Sequence, residues 1–274
     1  MPKVSIITTT LNAEKYLEKN IQSVISQNID DLEHILVDGM SNDKTLEIVE
    51  KYKSHFSKVI IEKDRGIYDG MNKGILAAKG ELVGILNSDD YYYDNRILNL
   101  VLSHYELSKK KDIIIYGDMF QDYKGARSFS RGDLSSLAFK KGKFQINHPT
   151  VFVAKSLYEK IGLFDISYPR GADREFLLRA NYNKVFFLKI NKPLTIFRLG
   201  GFTSLYNLKF LFEITKEEYR IFVKYYSKIF SIYKTFIQFC RYIKNYVVIK
   251  IVGQDKFLKN QIKRLNRKFN FIDK

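Results

Sequence analysis

Residues 82–90 read Leu-Val-Gly-Ile-Leu-Asn-Ser-Asp-Asp, an apolar run of strand length that stops abruptly at polar side chains. Carboxylates at the end of a buried strand are costly unless something pairs with them. Mg²⁺ or Mn²⁺ can do so, because these hard cations prefer oxygen ligands and often share them with a diphosphate. Open α/β sheets also bind ligands beyond the carboxyl ends of their strands. The stretch therefore predicts either a metal site at Asp89 and Asp90 or a solvated loop in which one of them caps the next helix.

Strand-like and helix-like segments alternate on both sides of this stretch. Apolar runs predict strands at 4–9, 35–37, 59–61, 82–86 and 113–116. Between them apolar residues recur at helical spacing, with Asn12 as the predicted N-cap of the first helix. This alternation predicts an α/β fold with right-handed βαβ units and a mostly parallel central sheet flanked by helices. The glycine signatures of dinucleotide-binding dehydrogenases and of P-loop nucleotidases do not occur in the sequence, which argues against both classes.

Polar side chains follow four of these predicted strands, on the rim where their carboxyl ends meet. They are Thr9, Asn12, Asp38, Asp64, Arg65 and Asn87, and Asn72 lies on the helix that comes next. The set suits a nucleotide. Asp38 can accept a hydrogen bond from a base imino group, Thr9 can bond a base edge, and Arg65 with Asn72 can hold ribose or phosphate. Taken singly, Asp38 is better explained by a tight turn, and Asn72 by a solvent-facing helix position. Together the residues favour a site, because independent turns need not all end in oxygen-bearing side chains.

Composition sets the outer bounds. The chain has 274 residues, enough for one large α/β domain plus an appendage or for two small domains, and 45% of them are hydrophobic, which predicts a real core. Its single cysteine, Cys240, excludes an internal disulfide and a cysteine-rich metal site, and fits a reducing compartment. We find neither an apolar signal region at the start nor a stretch of about 18 uncharged apolar residues that would span a membrane.

The positive charge is concentrated at the end of the chain. The net charge is +16, and residues 205–274 hold 16 Lys and Arg against 5 Asp and Glu. Aromatic and aliphatic residues recur there at helical spacing from Phe222 to Cys240, which predicts one long amphipathic helix. Three interpretations remain open: a helix packed on the α/β part of the chain or on a second copy, an interfacial helix on an anionic membrane, or a nucleic-acid surface. No nucleic-acid recognition module is visible, so we predict no nucleic-acid partner.

Four segments carry a family resemblance. They read Val-Ser-Ile-Ile-Thr-Thr-Thr-Leu-Asn (4–12), Ile-Leu-Val-Asp-Gly-Met-Ser-Asn-Asp-Lys-Thr (35–45), Asp-Arg-Gly-Ile-Tyr-Asp-Gly-Met-Asn-Lys-Gly (64–74) and Leu-Asn-Ser-Asp-Asp (86–90). In this order they resemble family 2 glycosyltransferases, most closely the bacterial branch that builds surface polysaccharides. A second, looser match runs from His148 to Arg179.

The resemblance implies a GT-A fold, a nucleotide-sugar donor such as a UDP-sugar, and inversion at the anomeric carbon. It places Asp38 and Thr9 at the base, and makes Asp89 the metal-binding acid of the family's D-x-D motif, with Mn²⁺ or Mg²⁺ as the cofactor. The first acid of that motif is Asn87 here, which lowers the local negative charge. The implied acceptor is a glycan under assembly on a lipid, such as a polyprenyl diphosphate.

An inverting transfer needs a carboxylate that takes the proton of the attacking hydroxyl. The helix predicted at 172–181 resembles the base-bearing helix of the family, and Asp173 matches the base. Glu175 is the rival, and on a helix the two side chains point about 200° apart, so that only one can face the site. Asp173 could instead cap the helix or pair with a neighbouring arginine. His148 could touch the diphosphate, the metal or the acceptor, or it could be a structural histidine.

These observations predict a catalytic domain at 1–204, divided near 118 into a nucleotide-binding and an acceptor part, and a helical extension at 205–274. Strands are predicted at 149–153 and 185–190 in the acceptor part. We expect an inverting, metal-assisted glycosyltransferase, cytoplasmic and peripheral at the inner face of the membrane, with a homodimer as a further option. The alternative is a non-catalytic nucleotide- or membrane-binding partner in polysaccharide assembly, which Asn87 favours and which intact Asp89 and Asp173 oppose.

Overall fold

A computed structural model describes residues 2–200 and 207–269. Its strands are β1 Val4–Thr10, β2 Leu32–Asp38, β3 Lys58–Ile61, β4 Leu82–Ile85, β5 Tyr91–Tyr92, β6 Ile113–Tyr123, β7 Ala126–Ser130, β8 Phe152–Ala154 and β9 Phe186–Arg198. Its helices are α1 Leu17–Ile25, α2 Thr45–Lys51, α3 Ile67–Ala77, α4 Ile97–Ser108, α5 Ser136–Lys140, α6 Lys155–Ile161, α7 Ala172–Tyr182, α8 Leu208–Tyr225, α9 Lys228–Val252 and α10 Gln254–Phe269.

The strands form one sheet in the order β3-β2-β1-β4-β8-β6-β9-β5, with β7 paired to β6. The pairs from β3 to β4 are parallel, as is β6 with β9, whereas β8, β5 and β7 run antiparallel to their neighbours. The predicted α/β fold class is confirmed: helices flank the sheet, and further helices follow it at the end of the chain. The sheet is mixed beyond β4, because β8 returns antiparallel to both β4 and β6.

The core lies between the sheet and its helices, and β1 and β4 are buried along their whole length. Gly84 in β4 is required by this packing. A Cβ at Gly84 would lie 2.7 Å from Cε1 of Phe152 on the neighbouring strand. The apolar run at 82–86 is thus the central strand of the fold, and the polar residues after it stand at the middle of the sheet edge.

Three sequence predictions need correction. Asn12 does not cap α1: it has a φ of 52°, and the helix begins at Leu17. The strand predicted at 149–153 begins as a 3₁₀ turn, His148–Thr150, because Pro149 presets a turn-like φ and the Thr150 N–H donates to Asn147 O. The single long helix predicted across 222–240 is two helices, because Tyr226 adopts an extended conformation that ends α8 and the Ser227 hydroxyl caps α9.

His34 makes the stability of this fold depend on pH. It is buried on β2, 3.0 Å from Thr8 Oγ1 and 2.9 Å from His55 Nε2. Burial, followed by the neighbouring His55, lowers the pKa of His34 from 6.5 to about 3. Between those two values the unfolded chain binds the proton and the folded protein does not, so the free energy of unfolding falls as the pH falls.

Because of His34, we expect the free energy of unfolding to fall by about 2 kcal/mol as the pH is lowered from 6.5 to 5, at 1.36 kcal/mol per pH unit. Urea denaturation over this range should therefore give a flatter profile for His34→Gln than for the wild type. His104→Gln, on the half-buried face of α4, is the matched control and should keep the wild-type slope. Parallel profiles for wild type and His34→Gln would show that another group sets the pH dependence.

Candidate functional site

The carboxyl ends of β1 and β4 meet at the middle of the sheet edge. Parallel register places Ile7 opposite Ile85, so the residues that follow lie side by side. The Thr9 hydroxyl donates to Asn87 Oδ1 at 2.9 Å, and the Ser88 N–H donates to Thr9 O. Asn20 of α1 supports the same turn from behind through its amide, which donates to Asn87 O at 2.8 Å. Thr9 and Asn87 are therefore brought together as predicted.

Asp89 and Asp90 differ sharply in their surroundings. Asp90 is fully buried, its Oδ1 accepts a hydrogen bond from the Arg198 N–H at 3.1 Å, and its Oδ2 has no partner among the described residues. Burial, with the charge of Asp89 second, raises the pKa of Asp90 well above its usual range. Asp89 keeps some exposed surface, and burial raises the pKa of its carboxyl group too.

This contrast narrows the predicted metal site. Asp90 has no accessible surface in this structure, whereas Asp89 keeps some, so Asp89 is the better placed of the two predicted ligands, and metal binding stays a prediction. A partly buried carboxylate beside a second buried one suits a divalent cation, which offsets the charge that burial penalises. Within the described ranges, no three His, Cys, Asp or Glu side chains gather as a metal-binding cluster. Asp90 instead ties the turn to the end of β9.

Asp38 and Asn12 organise the neighbouring loop. Asp38 is fully buried, and its two oxygens accept hydrogen bonds from the N–H of Ser41 at 2.8 Å and from its hydroxyl at 2.6 Å. Asn12 is exposed, and its Oδ1 accepts from the Asn42 N–H at 2.9 Å. In this conformation Asp38 has no surface with which to bind a base. The contacts therefore agree with the tight-turn interpretation of Asp38, and its contact with a base stays a prediction.

Asp64 and Arg65 lie at the end of the third parallel strand. The carboxylate of Asp64 packs closely against two glycines. A Cβ added at Gly70 would lie 2.8 Å from Asp64 Oδ2, and a Cβ added at Gly39 would lie 3.1 Å from the same oxygen. Lys73 pairs with Asp64 at 2.8 Å. Arg65 pairs with Asp69 at 2.9 Å, but its side chain remains 75% exposed. Arg65 is therefore free to contact a phosphate, which stays a prediction.

Asn72 holds a loop of the neighbouring part of the chain. Its amide nitrogen donates to Phe164 O at 2.8 Å, and its Oδ1 accepts from the Phe164 N–H at 3.1 Å. Both ends of the amide are used by one backbone residue of the loop before α7. The side chain therefore fixes the loop that leads to the helix carrying Asp173, and its contact with ribose or phosphate stays a prediction.

The two candidate acids on α7 point in different directions, as the helical spacing requires. Glu175 is completely buried and is bound by Arg179 at 2.8 Å, Lys224 at 2.8 Å and the Tyr225 hydroxyl at 2.5 Å. Asp173 lies in the first turn of α7 and lines two cavities. Of the two acids, only Asp173 faces open space.

Tyr68 holds Asp173 in place. Its hydroxyl donates to Asp173 Oδ1 at 2.9 Å, and the Arg174 N–H donates to the same oxygen at 2.8 Å. The described hydrogen bonds of this carboxylate thus go to one oxygen. Tyr68 was not singled out from the sequence, although it stands inside the quoted segment 64–74, because its partner is 105 residues away.

His148 lies beside Asp173 in the smaller cavity, which is otherwise lined mainly by apolar residues. Its Nε2 is buried and has no partner among the described residues. Burial lowers the pKa of His148, while the charge of Asp173 acts in the opposite direction. Burial therefore favours the neutral imidazole near Asp173, and its Nε2 is a buried nitrogen without a partner in the described residues.

Helix α8 is built into the site. Glu217 Oε1 accepts hydrogen bonds from the N–H groups of Arg170 at 2.9 Å and Gly171 at 2.7 Å, just before α7 begins. Ile221 and Phe222 are buried in the same core as the sheet. These contacts, together with Lys224 on Glu175, join α8 to the helix of Asp173. Sequence periodicity indicated a helix here but gave no sign of which partner it would contact.

Comparison with known proteins identifies the family. The model of glycosyl transferase family 2 matches residues 5–157. A PGL/p-HBAD biosynthesis glycosyltransferase of Mycobacterium bovis is 32% identical over 185 residues, which cover 66% of this chain and 71% of that relative.

Solved structures share the fold at lower identity. Residues 1–349 of S. aureus TarS in complex with UDP-GlcNAc give a TM-score of 0.63 at 21% identity, covering 81% of this chain and 66% of that one. A longer TarS chain is covered to 39%. The mannosyltransferase PcManGT from Pyrobaculum calidifontis, in complex with GDP-Man and Mn²⁺, gives 0.61 at 17% identity, covering 81% of this chain and 64% of that one. This chain is a glycosyltransferase and belongs to glycosyl transferase family 2.

Proposed function

We propose that the protein transfers a sugar, with inversion, from a nucleotide-sugar donor to a hydroxyl of a growing glycan, and that Asp173 is the general base. The observation that carries this proposal is the contrast on α7: Glu175 is sealed by three partners, whereas Asp173 faces open space beside His148. With Oδ1 held by Tyr68, the other carboxylate oxygen is positioned to take a proton.

The donor is a nucleoside diphosphate sugar, with a UDP-sugar as the first candidate. TarS was solved with UDP-GlcNAc and with UDP, and PcManGT with GDP-Man and Mn²⁺, which supports this class of donor and a divalent metal. Asp89 would hold Mn²⁺ or Mg²⁺ at the middle of the sheet edge. When bound, such an ion offsets the charge that develops on the departing diphosphate. Thr9, Asn12, Asp64, Arg65 and Asn87 line the same rim.

A thermal-shift screen of UDP-, GDP- and dTDP-sugars, with and without Mn²⁺, tests the donor class. A ligand that binds the folded state raises its stability by mass action. We expect one nucleoside diphosphate and its sugar to raise the melting temperature in a Mn²⁺-dependent manner, while the free nucleoside does not. Release of the nucleoside diphosphate from that donor then reports transfer. A folded protein that responds to no member of the panel would refute the proposal.

The acceptor is proposed to be lipid-linked, with the protein held at the inner, anionic face of the plasma membrane. The support is an exposed apolar stripe on α9, formed by Ile229, Ile232, Tyr233, Phe236, Cys240, Val247 and Ile251. Exposed basic residues flank it at Lys228, Arg241, Lys244 and Lys250. Apolar burial and attraction to anionic lipid would then act together. No helix in the described ranges is both long and apolar enough to cross a membrane.

A truncation after Ser204 would not test membrane binding alone, because it would also remove α8, which belongs to the core. We expect the double variant Ile229→Gln/Phe236→Gln to lose most sedimentation with anionic liposomes at low salt, about a tenfold or greater loss, because side chains 83% and 64% exposed would no longer be buried in lipid. Nucleotide binding should be unchanged. Leu76→Gln/Leu107→Gln, at exposed positions away from α9, is the matched control.

The salt dependence separates the two contributions to membrane binding. Wild-type binding should weaken as salt rises, because salt screens the basic residues, and should be poor with neutral liposomes. If the wild type ignores anionic liposomes at low salt, the membrane proposal is refuted. A molecular mass that doubles as the protein concentration rises would indicate a homodimer. If Ile229→Gln/Phe236→Gln abolishes that doubling, the stripe is the interface of the homodimer.

A further inference from the structure

A second cavity, of about 190 Å³, lies between the start of α7 and the C-terminal helices. Its walls come from the segment between α5 and β8, from the start of α7 and the two residues before it, and from α8 and α9. The polar lining residues are Gln145, Arg170, Asp173, Arg174, Glu217, Glu218 and Tyr242. Asp173 is the residue that lines both this cavity and the smaller one beside His148. The cavity therefore opens next to the proposed general base.

Glu218 is an incompletely satisfied acid in the wall of this cavity. The residue is 5% exposed, and its Oε1 accepts a hydrogen bond from the Tyr242 hydroxyl at 3.0 Å. Its Oε2 is buried and finds no hydrogen-bond partner among the described residues. A buried carboxylate oxygen without a partner is costly, and a ligand that donates a hydrogen bond would remove that cost.

Arg174 complements Glu218 in the same wall. Its guanidinium stands 5.4 Å from the ring centre of Phe144, and no ion pair of this side chain is found in the part of the chain that the structure describes. Arg170 pairs with Glu213 at 2.7 Å, and Glu217 binds two backbone N–H groups. The acceptors that the cavity offers are therefore Glu218 Oε2 and the second carboxylate oxygen of Asp173, and the guanidinium of Arg174 supplies donors.

The lining selects a neutral, hydroxyl-rich ligand. Three carboxylates and two guanidiniums line the cavity, so a phosphate would meet more negative than positive charge. A sugar hydroxyl can donate to a carboxylate and accept from a guanidinium, and the apolar wall of Phe144, Ile146 and Ile221 suits the C–H face of a ring. At about 30 Å³ per water, the volume equals roughly six waters, which is comparable with one sugar ring.

We propose that this cavity binds a neutral sugar residue of the acceptor, with Glu218 accepting a hydrogen bond from one of its hydroxyls and Arg174 donating to another. The inference rests on the proposed glycosyl transfer and goes beyond it, because it assigns acceptor recognition to α8 and α9. Because Asp173 lines this cavity, a ring held there has its hydroxyls next to that carboxylate.

Binding of methyl glycosides tests this assignment. Saturation-transfer NMR with the gluco, galacto, manno, rhamno and N-acetylglucosamine glycosides gives affinities for the wild type, Glu218→Gln and Tyr242→Phe. We expect at least one glycoside to bind the wild type and both variants to bind it at least ~10-fold more weakly, because each loses or misplaces the charged acceptor. Glu159→Gln, an exposed acid on α6, is the matched control and should bind as the wild type does.

The same samples are titrated with UDP and GDP in the presence of Mn²⁺, and their folding is checked by melting temperature. Tyr242→Phe removes a single hydroxyl, so it still tests the cavity if Glu218→Gln does not fold. Equal glycoside binding by wild type and folded variants, no glycoside binding at all, or preferential binding of inorganic phosphate would each overturn the inference. Variant-sensitive glycoside binding without any nucleotide binding would support the sugar cavity and refute the proposed transfer.

Discussion

Asp173→Asn is expected to reduce turnover by roughly 10²- to 10⁴-fold, the usual loss when a general base is removed. Asparagine keeps the shape of the side chain and can still accept the hydrogen bond from Tyr68, so that α7 should remain in place. The substitution removes only the capacity to take a proton. Affinity for the nucleoside diphosphate should therefore change little. Turnover is measured by nucleoside diphosphate release from the donor that the screen identifies.

Glu175→Gln is the matched comparison on the same helix. The substitution removes the negative charge of a buried side chain that Arg179 and Lys224 both contact. Loss of one partner from a buried ion pair typically lowers the free energy of unfolding by about 3–5 kcal/mol. We expect lower stability in urea but near wild-type turnover per folded molecule. If folded Glu175→Gln is inactive while Asp173→Asn retains its activity, the base has been assigned to the wrong acid.

Asp89→Asn should abolish the metal dependence of donor binding while leaving the fold intact. At a ligand concentration about 100 times Kd, bound ligand stabilises the wild type by about 2.7 kcal/mol, and a variant with ~100-fold weaker affinity would retain only ~0.4 kcal/mol. Calorimetric titration with UDP or GDP, with and without Mn²⁺, measures the difference.

Asp90→Asn distinguishes Asp89 from its neighbour. Because Asp90 is fully buried and bound to the Arg198 N–H, its substitution should change stability but should leave the response to Mn²⁺ in place. An unchanged Mn²⁺ response in Asp89→Asn, or its loss in Asp90→Asn alone, would move the metal ligand from one acid to the other.

The parts of the site that follow local pattern were predictable from the sequence. Parallel strands end at one edge of a sheet, so the neighbourhood of Thr9 and Asn87 follows from where the apolar runs stop. Helical spacing likewise required that Asp173 and Glu175 face different ways, but could not say which one faces the cavity. That choice depends on Lys224 and Tyr225, which approach from a separate helix about 50 positions later.

Contacts between distant segments account for what the sequence did not predict. The contact of Asn72 with the Phe164 backbone was missed because that partner lies 92 residues away and leaves no mark on local pattern. Asp90 looked equivalent to Asp89 in the sequence because its burial depends on the far end of β9. That strand extends over Phe186–Arg198, whereas the apolar run predicted a strand only at 185–190. The tail was taken for one helix because the apolar spacing continues across Ser227 without interruption.

The two contacts that join α8 to α7, made through Glu217 and Glu175, restrict how such a protein can change during evolution. Because Glu217 holds the chain just before α7 and Lys224 holds Glu175 within it, a shift of α8 along its axis would displace the carboxylate of Asp173 as well. A tail exchanged between relatives would therefore have to keep these contacts of α8. Under the role proposed above for α8 and α9, new acceptor preferences would arise by substitutions on their inner faces that leave the contacts of α8 with α7 in place.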